Sequence, residues 1–178
     1  MTIEIRPAVA TDMPRLMGFD HSCSSEYVWQ LDLRQEQEQQ VTASLREVRL
    51  PRPVKVNYPR DPFSLADDWQ RKSVMLVAAI PELAGYACLQ LQNSGSVAWV
   101  TDLVTASDQR RTGVASALLQ AAEEWAIAQG CHILFLEMQA KNQPAIRLAQ
   151  KFGFQFCGYN DHYYASQDVA LFFGRMLK

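Results

Sequence analysis

The sequence predicts a mixed α+β domain in three layers, a mostly antiparallel sheet flanked by helices. Apolar runs at Val74–Ile80, 85–92 and Val97–Thr105 are separated by turn signals at Pro81-Glu82 and Asn93-Ser94-Gly95, the pattern of an antiparallel meander. An amphipathic stretch over 113–129 comes next and is stopped by Gly130, and strand, helix and strand signals then alternate to the end. The chain has 178 residues, of which 48% are hydrophobic and 20% charged, a composition that suits one globular domain over 1–178.

In order along the chain, Ile3-Glu4-Ile5-Arg6 alternates apolar and polar as a half-buried strand does. Thr11-Asp12 caps a short helix with Pro14 in its first turn and Met13, Leu16 and Met17 inward. The stretch 24–72 is less patterned. Residues 27–31 and 41–50 look strand-like, Pro51, Pro53, Pro59 and Pro62 punctuate the segment 51–62, and 35–40 reads as a solvated segment. In the helix at 113–129, Val114, Ala117, Leu118, Ala121 and Trp125 form the expected inner face. A strand at 133–138, a helix at 144–152 and strands at 154–159 and 169–176 complete the reading. Leu171-Phe172-Phe173 belongs either to the core or to a dimer edge.

Several functions are disfavoured by composition. The net charge is −2, and 10 basic and 12 acidic groups in 1–89 are followed by 7 of each in 90–178, so no basic region attracts nucleic acid or an anionic membrane. The longest strongly apolar run, Val74–Ile80, is far short of the roughly 20 residues of a membrane span, and the N-terminus lacks the layout of a signal peptide. Cys23, Cys88, Cys131 and Cys157 are scattered with no C-x-x-C pair, so they read as small buried hydrophobes and no metal site is expected. A soluble cytoplasmic protein, monomer or homodimer, is the expectation.

The most informative segment is Asp102-Leu103-Val104-Thr105-Ala106-Ser107-Asp108-Gln109-Arg110-Arg111-Thr112-Gly113-Val114-Ala115, where a strand enters a polar loop and the loop enters the long helix. The first N–H groups of a helix lack internal partners and the dipole there is positive, so an anionic phosphate is the natural occupant. Gly113 and Ala115 leave the backbone approachable, and Arg110 and Arg111 add charge. The loop is neither G-x-G-x-x-G nor a P-loop, so dinucleotide and nucleoside triphosphate sites find no support.

Arg110-x-x-Gly113-x-Ala115, followed by Asn142-x-x-Ala145-Ile146 and Gly153-Phe154, resembles the GNAT superfamily of acetyl-CoA-dependent N-acetyltransferases over about residues 73–177. Leu45-Arg46-Glu47-Val48, Lys55, Tyr58-Pro59, Cys157-Gly158 and Tyr164 are similar to streptothricin-type antibiotic acetyltransferases. The resemblance implies the GNAT fold, acetyl-CoA as co-substrate and no metal, with 1–72 on the acceptor side and 73–178 on the acetyl-CoA side.

It also implies site residues. Leu103, Val104 and Thr105 would lie on a splayed strand whose backbone holds the pantetheine arm and polarises the thioester carbonyl. Arg110, Arg111, Thr112, Gly113, Val114 and Ala115 would hold the diphosphate, and Asn142 the cofactor arm. The amine would attack directly, with no protein nucleophile. Glu137 is the expected base, with Asp102 its competitor and a purely structural carboxylate the alternative. The tyrosine usual in the second segment is replaced by Ala149, so Tyr164 is the candidate acid, with Tyr163, Tyr159 and His162 nearby and water as another donor.

The acceptor is expected to be a small-molecule amine or a peptide amine. Glu26, Asp32, Glu47, Asp61, Asp67 and Asp68 are acidic groups available to a cationic acceptor. A protein lysine or N-terminal acetyltransferase is the alternative enzyme, and a non-catalytic acyl-CoA-binding protein the alternative class, kept open by Ala149.

Overall fold

Strand and helix signals resolve into a seven-stranded sheet, a separate two-stranded ribbon and short helices on both faces of the sheet. The computed structural model describes residues 2–92 and 95–178, so Asn93 and Ser94 of the expected turn lie outside the described residues. The strands are β1 (Glu4–Pro7), β2 (Cys23–Gln37), β3 (Gln40–Val56), β4 (Val74–Ile80), β5 (Glu82–Gln92), β6 (Val97–Thr105), β7 (Ile133–Gln139), β8 (Gln155–Asn160) and β9 (Ala170–Met176). The helices are α1 (Met13–Met17), α2 (Leu65–Asp68), α3 (Val114–Ala128) and α4 (Gln143–Lys151). The large sheet has the order β1-β4-β5-β6-β7-β9-β8, and β4-β5-β6 is the expected meander. All neighbours are antiparallel except β6 and β7, whose parallel pairing uses α3 as the crossover. Its outer strands are β1, which ends in Pro7, and β8, whose ladder with β9 skips at Cys157.

One face of the sheet packs Leu76, Leu89, Val100, Leu134 and Leu136 against Val114, Leu118, Leu119 and Ile146 of α3 and α4. The other packs Met75, Val77, Tyr86 and Val104 against Met13, Leu16 and Leu65 of α1 and α2. The buried stripe of α3 is rotated from the expected one: Leu119, Ala122 and Ala126 are buried with Val114 and Leu118, whereas Ala117, Ala121 and Trp125 are half-buried. The helix sits close to the sheet because Gly85 has no side chain; a Cβ there would lie 2.6 Å from the Val104 carbonyl oxygen and 2.8 Å from Val114 Cγ1. Leu171 and Phe173 are core residues. Cys88 and Cys131 are buried as expected, but Cys157 is exposed.

The unpatterned stretch holds the largest departure from expectation. Residues 35–40 form the tip of a long hairpin, β2 with β3, rather than a loop between short strands. The ladder runs Tyr27↔Arg49, then resumes at Ser25↔Val54, so Leu50, Pro51, Arg52 and Pro53 bulge opposite Glu26. Proline has no N–H to give to a ladder, and here both prolines stand where the ladder is interrupted, so the strand continues past them. The hairpin is tied to the sheet by Trp29 N–H donating to the Ala140 carbonyl at 2.9 Å. At the other end of the chain's first helix, Asp12 does not cap with its side chain. Its carboxylate instead accepts two 2.8 Å bonds from Arg6 and one from Val9 N–H.

Among the described residues no helix is long and apolar enough to cross a membrane.

Candidate active site

The parallel ladder between β6 and β7 ends at Val100↔Leu136. Beyond it β6 continues to pair with β5 through Asp102, Leu103, Val104 and Thr105, while β7 continues with β9 through Glu137 and Met138. The β5–β6 register skips at Thr101, and the extra residue bends β6 where it leaves its neighbour. Leu103, Val104 and Thr105 therefore line one side of a gap between diverging strands.

The loop after β6 stands at one mouth of this gap. Arg111 (φ 65°) and Gly113 (φ 99°) both take left-handed backbone, which glycine tolerates at little cost and arginine does not. Among the described residues no backbone N–H from 111–116 finds a backbone acceptor, so a row of donors opens at the start of α3. Arg111, Thr112 and Gly113 are exposed and Val114 is buried. Arg110 departs from expectation. Its Nη2 donates to the carbonyls of Asp20 and Ser22, both at 2.7 Å, so it ties the segment after α1 to the loop instead of standing free. Asn142, across the gap, caps α4: its Oδ1 accepts from Ala145 N–H at 3.2 Å and from the Cys23 thiol at 3.5 Å. Ala149 is fully buried.

On the face covered by α1 and α2, the diverging strands present two buried carboxylates, Asp102 and Glu137, and the segment after β3 supplies the cation between them. Arg60 Nη2 is ion-paired with Glu137 Oε1, and Nη1 reaches Asp102 Oδ1 at 3.2 Å and the Thr101 carbonyl at 3.1 Å. Tyr58 donates its hydroxyl to Asp102 Oδ1, Thr101 donates to Oδ2 at 2.9 Å, and Lys72 Nζ lies 3.8 Å from that oxygen. Glu137 Oε2 accepts from the Tyr163 hydroxyl at 2.7 Å. The Glu137 side chain is 1% exposed, so each of its oxygens is held by a named partner rather than by water.

Burial is the first cause of the shifts around this centre. It pulls the Arg60 guanidinium down, but the charges of Asp102 and Glu137 outweigh it and hold the group above its ordinary range. Burial and then the bond to Glu137 push Tyr163 up to about 12. Tyr164 is pushed further up by burial and the Glu137 charge. The Arg60 guanidinium lies 5.8 Å from the Tyr164 ring centre. A carboxylate fixed in this way can receive a proton from an arriving amine, and a protonated phenol beside it can donate one.

Of the expected residues, Glu137, Asp102, Tyr163 and Tyr164 come together, and Leu103 to Thr105, 110–115 and Asn142 surround the gap. Tyr159 packs against the core, and His162 is exposed beside Asp161. The acidic candidates within 1–72 do not converge: Asp32 pairs with Arg34, Glu47 with Arg147 and Asp68 with Arg71, and Asp61 caps a turn. Arg60, Lys72, Tyr86 and His21 were not expected. Arg60 sits between Pro59 and Asp61-Pro62 with no local pattern to mark it, and Tyr58 carried only a motif match.

The profile of the acetyltransferase (GNAT) family matches residues 36–154. The chain belongs to the GNAT family. It is an acetyl-CoA-dependent acetyltransferase, and the α+β fold is the GNAT fold. The chain is 27% identical over 169 residues to a streptothricin acetyltransferase of Streptomyces lavendulae, covering 92% of this chain and 87% of that protein. The crystal structure of nourseothricin acetyltransferase superposes with a TM-score of 0.81 at 26% identity, covering 100% of both chains. A Bacillus anthracis protein crystallised with acetyl coenzyme A shares the fold, with a TM-score of 0.74 at 19% identity over 99% of this chain and 100% of that one.

Proposed function

We propose that this GNAT protein transfers the acetyl group of acetyl-CoA directly to a primary amine on a small cationic acceptor of the streptothricin type. The observation that carries the reading is the pair of buried carboxylates, Asp102 and Glu137, beside the gap in the sheet. Arg60 and Lys72 hold these oxygens in place, and a cationic amine entering the gap would be drawn to the same acidic centre. The likeness to streptothricin and nourseothricin acetyltransferases supports the acceptor class.

The unsatisfied N–H row at 111–116 and the open edge of β6 fit the donor's diphosphate and its amide-bearing arm. In this reading 73–178 binds the donor, with Arg111, Thr112, Gly113, Val114 and Ala115 at the diphosphate, Leu103, Val104 and Thr105 along the arm, and Asn142 opposite. Arg110 acts there through its hold on Asp20 and Ser22. Bound acetyl-CoA supplies an activated acyl group on a good leaving thiolate. Residues 1–72 contribute the acceptor side, of which Tyr58 and Arg60 are the part nearest the chemistry.

The chain's own groups then manage protons. Glu137 accepts one from the attacking amine, with Tyr163 and Arg60 holding its carboxylate in place. Tyr164, kept protonated by its surroundings, donates toward the thiolate.

A thiol-release assay with acetyl-CoA against streptothricin, polyamines, lysine and short peptides tests this. Release with streptothricin or polyamines is expected. Release with peptides alone would replace the acceptor class, and tight acetyl-CoA binding without release would point to a non-catalytic binder.

A further inference from the structure

One side chain spans the point at which the sheet comes apart. The parallel ladder runs from Val97↔Ile133 to Val100↔Leu136, and its register would next set Thr101 opposite Glu137. That pair is not made. Thr101 is instead the residue skipped in the β5–β6 ladder, and a bulged residue is left without a partner across the strand. The Arg60 guanidinium takes the place of the missing rung. Its Nη1 donates to the Thr101 carbonyl at 3.1 Å and to Asp102 Oδ1 at 3.2 Å, and its Nη2 donates to Glu137 Oε1. Tyr58 and Lys72 bond to β6 and Tyr163 bonds to β7, whereas Arg60 bonds to both.

Two opposite tendencies meet at this point. One more ladder pair would draw β6 and β7 together and narrow the gap, while two buried carboxylates side by side repel and would spread it. A planar guanidinium with donors on both arms opposes each of these. Its bulk stands where the next rung would form, and its bonds keep the carboxylates from parting. We propose that Arg60 is a positioning residue that sets the width of the gap in the sheet, and through it the affinity for the pantetheine arm of acetyl-CoA. The inference rests on the reading of that gap as the seat of the arm.

The segment that carries Arg60 is built to hold it still. Pro59 and Pro62 flank it, and their rings fix their own φ angles. Asp61 Oδ1 accepts from Phe63 N–H at 3.0 Å and the Asp61 carbonyl accepts from the Ser64 hydroxyl at 2.9 Å, so the chain turns tightly after it. Before it, Tyr58 is bonded to Asp102, and its ring lies 4.9 Å from that of His21, whose Nε2 is 3.0 Å from the Tyr86 hydroxyl. A brace from the acceptor side of the chain thus acts on the donor side. An arm that enters a gap already at its bound width has no strands to rearrange, and such preorganisation raises affinity.

The test compares affinity for acetyl-CoA with affinity for ADP, which carries the diphosphate and no arm, by calorimetry and competition. Two comparisons are made: Arg60→Lys against wild type, and the Arg60→Met, Glu137→Gln double variant against Glu137→Gln alone. The second removes the unpaired charge that would otherwise destabilise the fold. In both, acetyl-CoA affinity is expected to fall roughly 10-fold, the scale of one charge-assisted hydrogen bond, with ADP affinity unchanged. Lysine keeps the charge, but its single nitrogen cannot reproduce the fork. Guanidinium ion, added far below denaturing concentration, should restore acetyl-CoA affinity to Arg60→Ala. Unchanged acetyl-CoA affinity in the two comparisons, or an equal loss for both ligands without guanidinium rescue, would overturn the proposal. A wild-type protein that binds acetyl-CoA no more tightly than ADP would instead overturn the placement of the arm in the gap, and the proposal with it.

Discussion

Glu137 and Arg60, 77 positions apart in the chain, form an ion pair in which the carboxylate is almost wholly shielded from water. Removing one member of such a pair leaves the other charge desolvated, a loss of roughly 3–5 kcal/mol in buried cases. Arg60→Ala is expected to fall at the lower end, since the guanidinium is partly open to water. Urea unfolding should register this, and the Arg60→Met, Glu137→Gln double variant should regain most of it.

Glu137→Gln alone keeps the shape of the site and removes its capacity to take a proton. Turnover should drop by roughly 100-fold or more, and its rise with pH should flatten, while acetyl-CoA affinity measured by calorimetry stays near normal.

Tyr164 offers the opposite combination. Tyr164→Phe keeps the ring that packs on Tyr163 and lies beside Arg60, so it should melt close to the wild-type temperature. If the hydroxyl donates to the leaving thiolate, kcat falls with both KM values little changed; an unaltered kcat would assign that proton to water.

At the donor loop, a Cβ on Gly113 would meet nothing closer than Ile3 Cδ1 at 3.9 Å, so the cost of Gly113→Ala comes from the backbone angle rather than from crowding. About 1 kcal/mol of stability and a weaker acetyl-CoA complex are expected. Gly113→Glu and Arg111→Glu, which bring a negative charge to the N–H row, should weaken binding further. Arg111→Gly should relieve backbone strain at the same loop and raise the melting temperature.

Acid should act on the Arg6–Asp12 pair. Arg6 is the largest cause holding Asp12 below the ordinary carboxylate range, ahead of the opposing effect of burial. A carboxyl with a lowered folded pKa stabilises the protein above its unfolded pKa of about 3.9, and that contribution is lost as pH falls through the folded value. Asp12→Asn should therefore be less stable than wild type at pH 7, with the gap closing toward pH 2 in denaturant titrations.

The sheet from β4 onward was legible because its signals are local. Val74–Ile80 and Val97–Thr105 alternate with turn residues, and Gly130 stops α3 close to where it ends. Asp102, Glu137, Tyr163 and Tyr164 were legible because they stand in or beside recognisable segments. Arg60, Lys72, Tyr86 and His21 were not, since nothing within a few residues of any of them predicts a partner; Arg60 meets Asp102 across 42 positions and His21 meets Tyr86 across 65. The hairpin was misread for a related reason. Pro51 and Pro53 break a ladder only if they must donate to it, and a bulge removes that demand. The inner face of α3 is ambiguous in the sequence because small apolar residues occur on both sides of it.

The strands at the two ends of the large sheet bear on how the molecule behaves when concentrated. A regular outer strand is a template on which a second chain can extend the sheet, and that is a common route to aggregation. Here β1 is only four residues long and closes with a proline that has no hydrogen to offer, and β8 is kinked at Cys157. Exposed Phe156 and Met176 lie at that kinked end, where apolar surface would otherwise invite a neighbour. Without a straight ladder to follow, such an encounter stays loose and reversible.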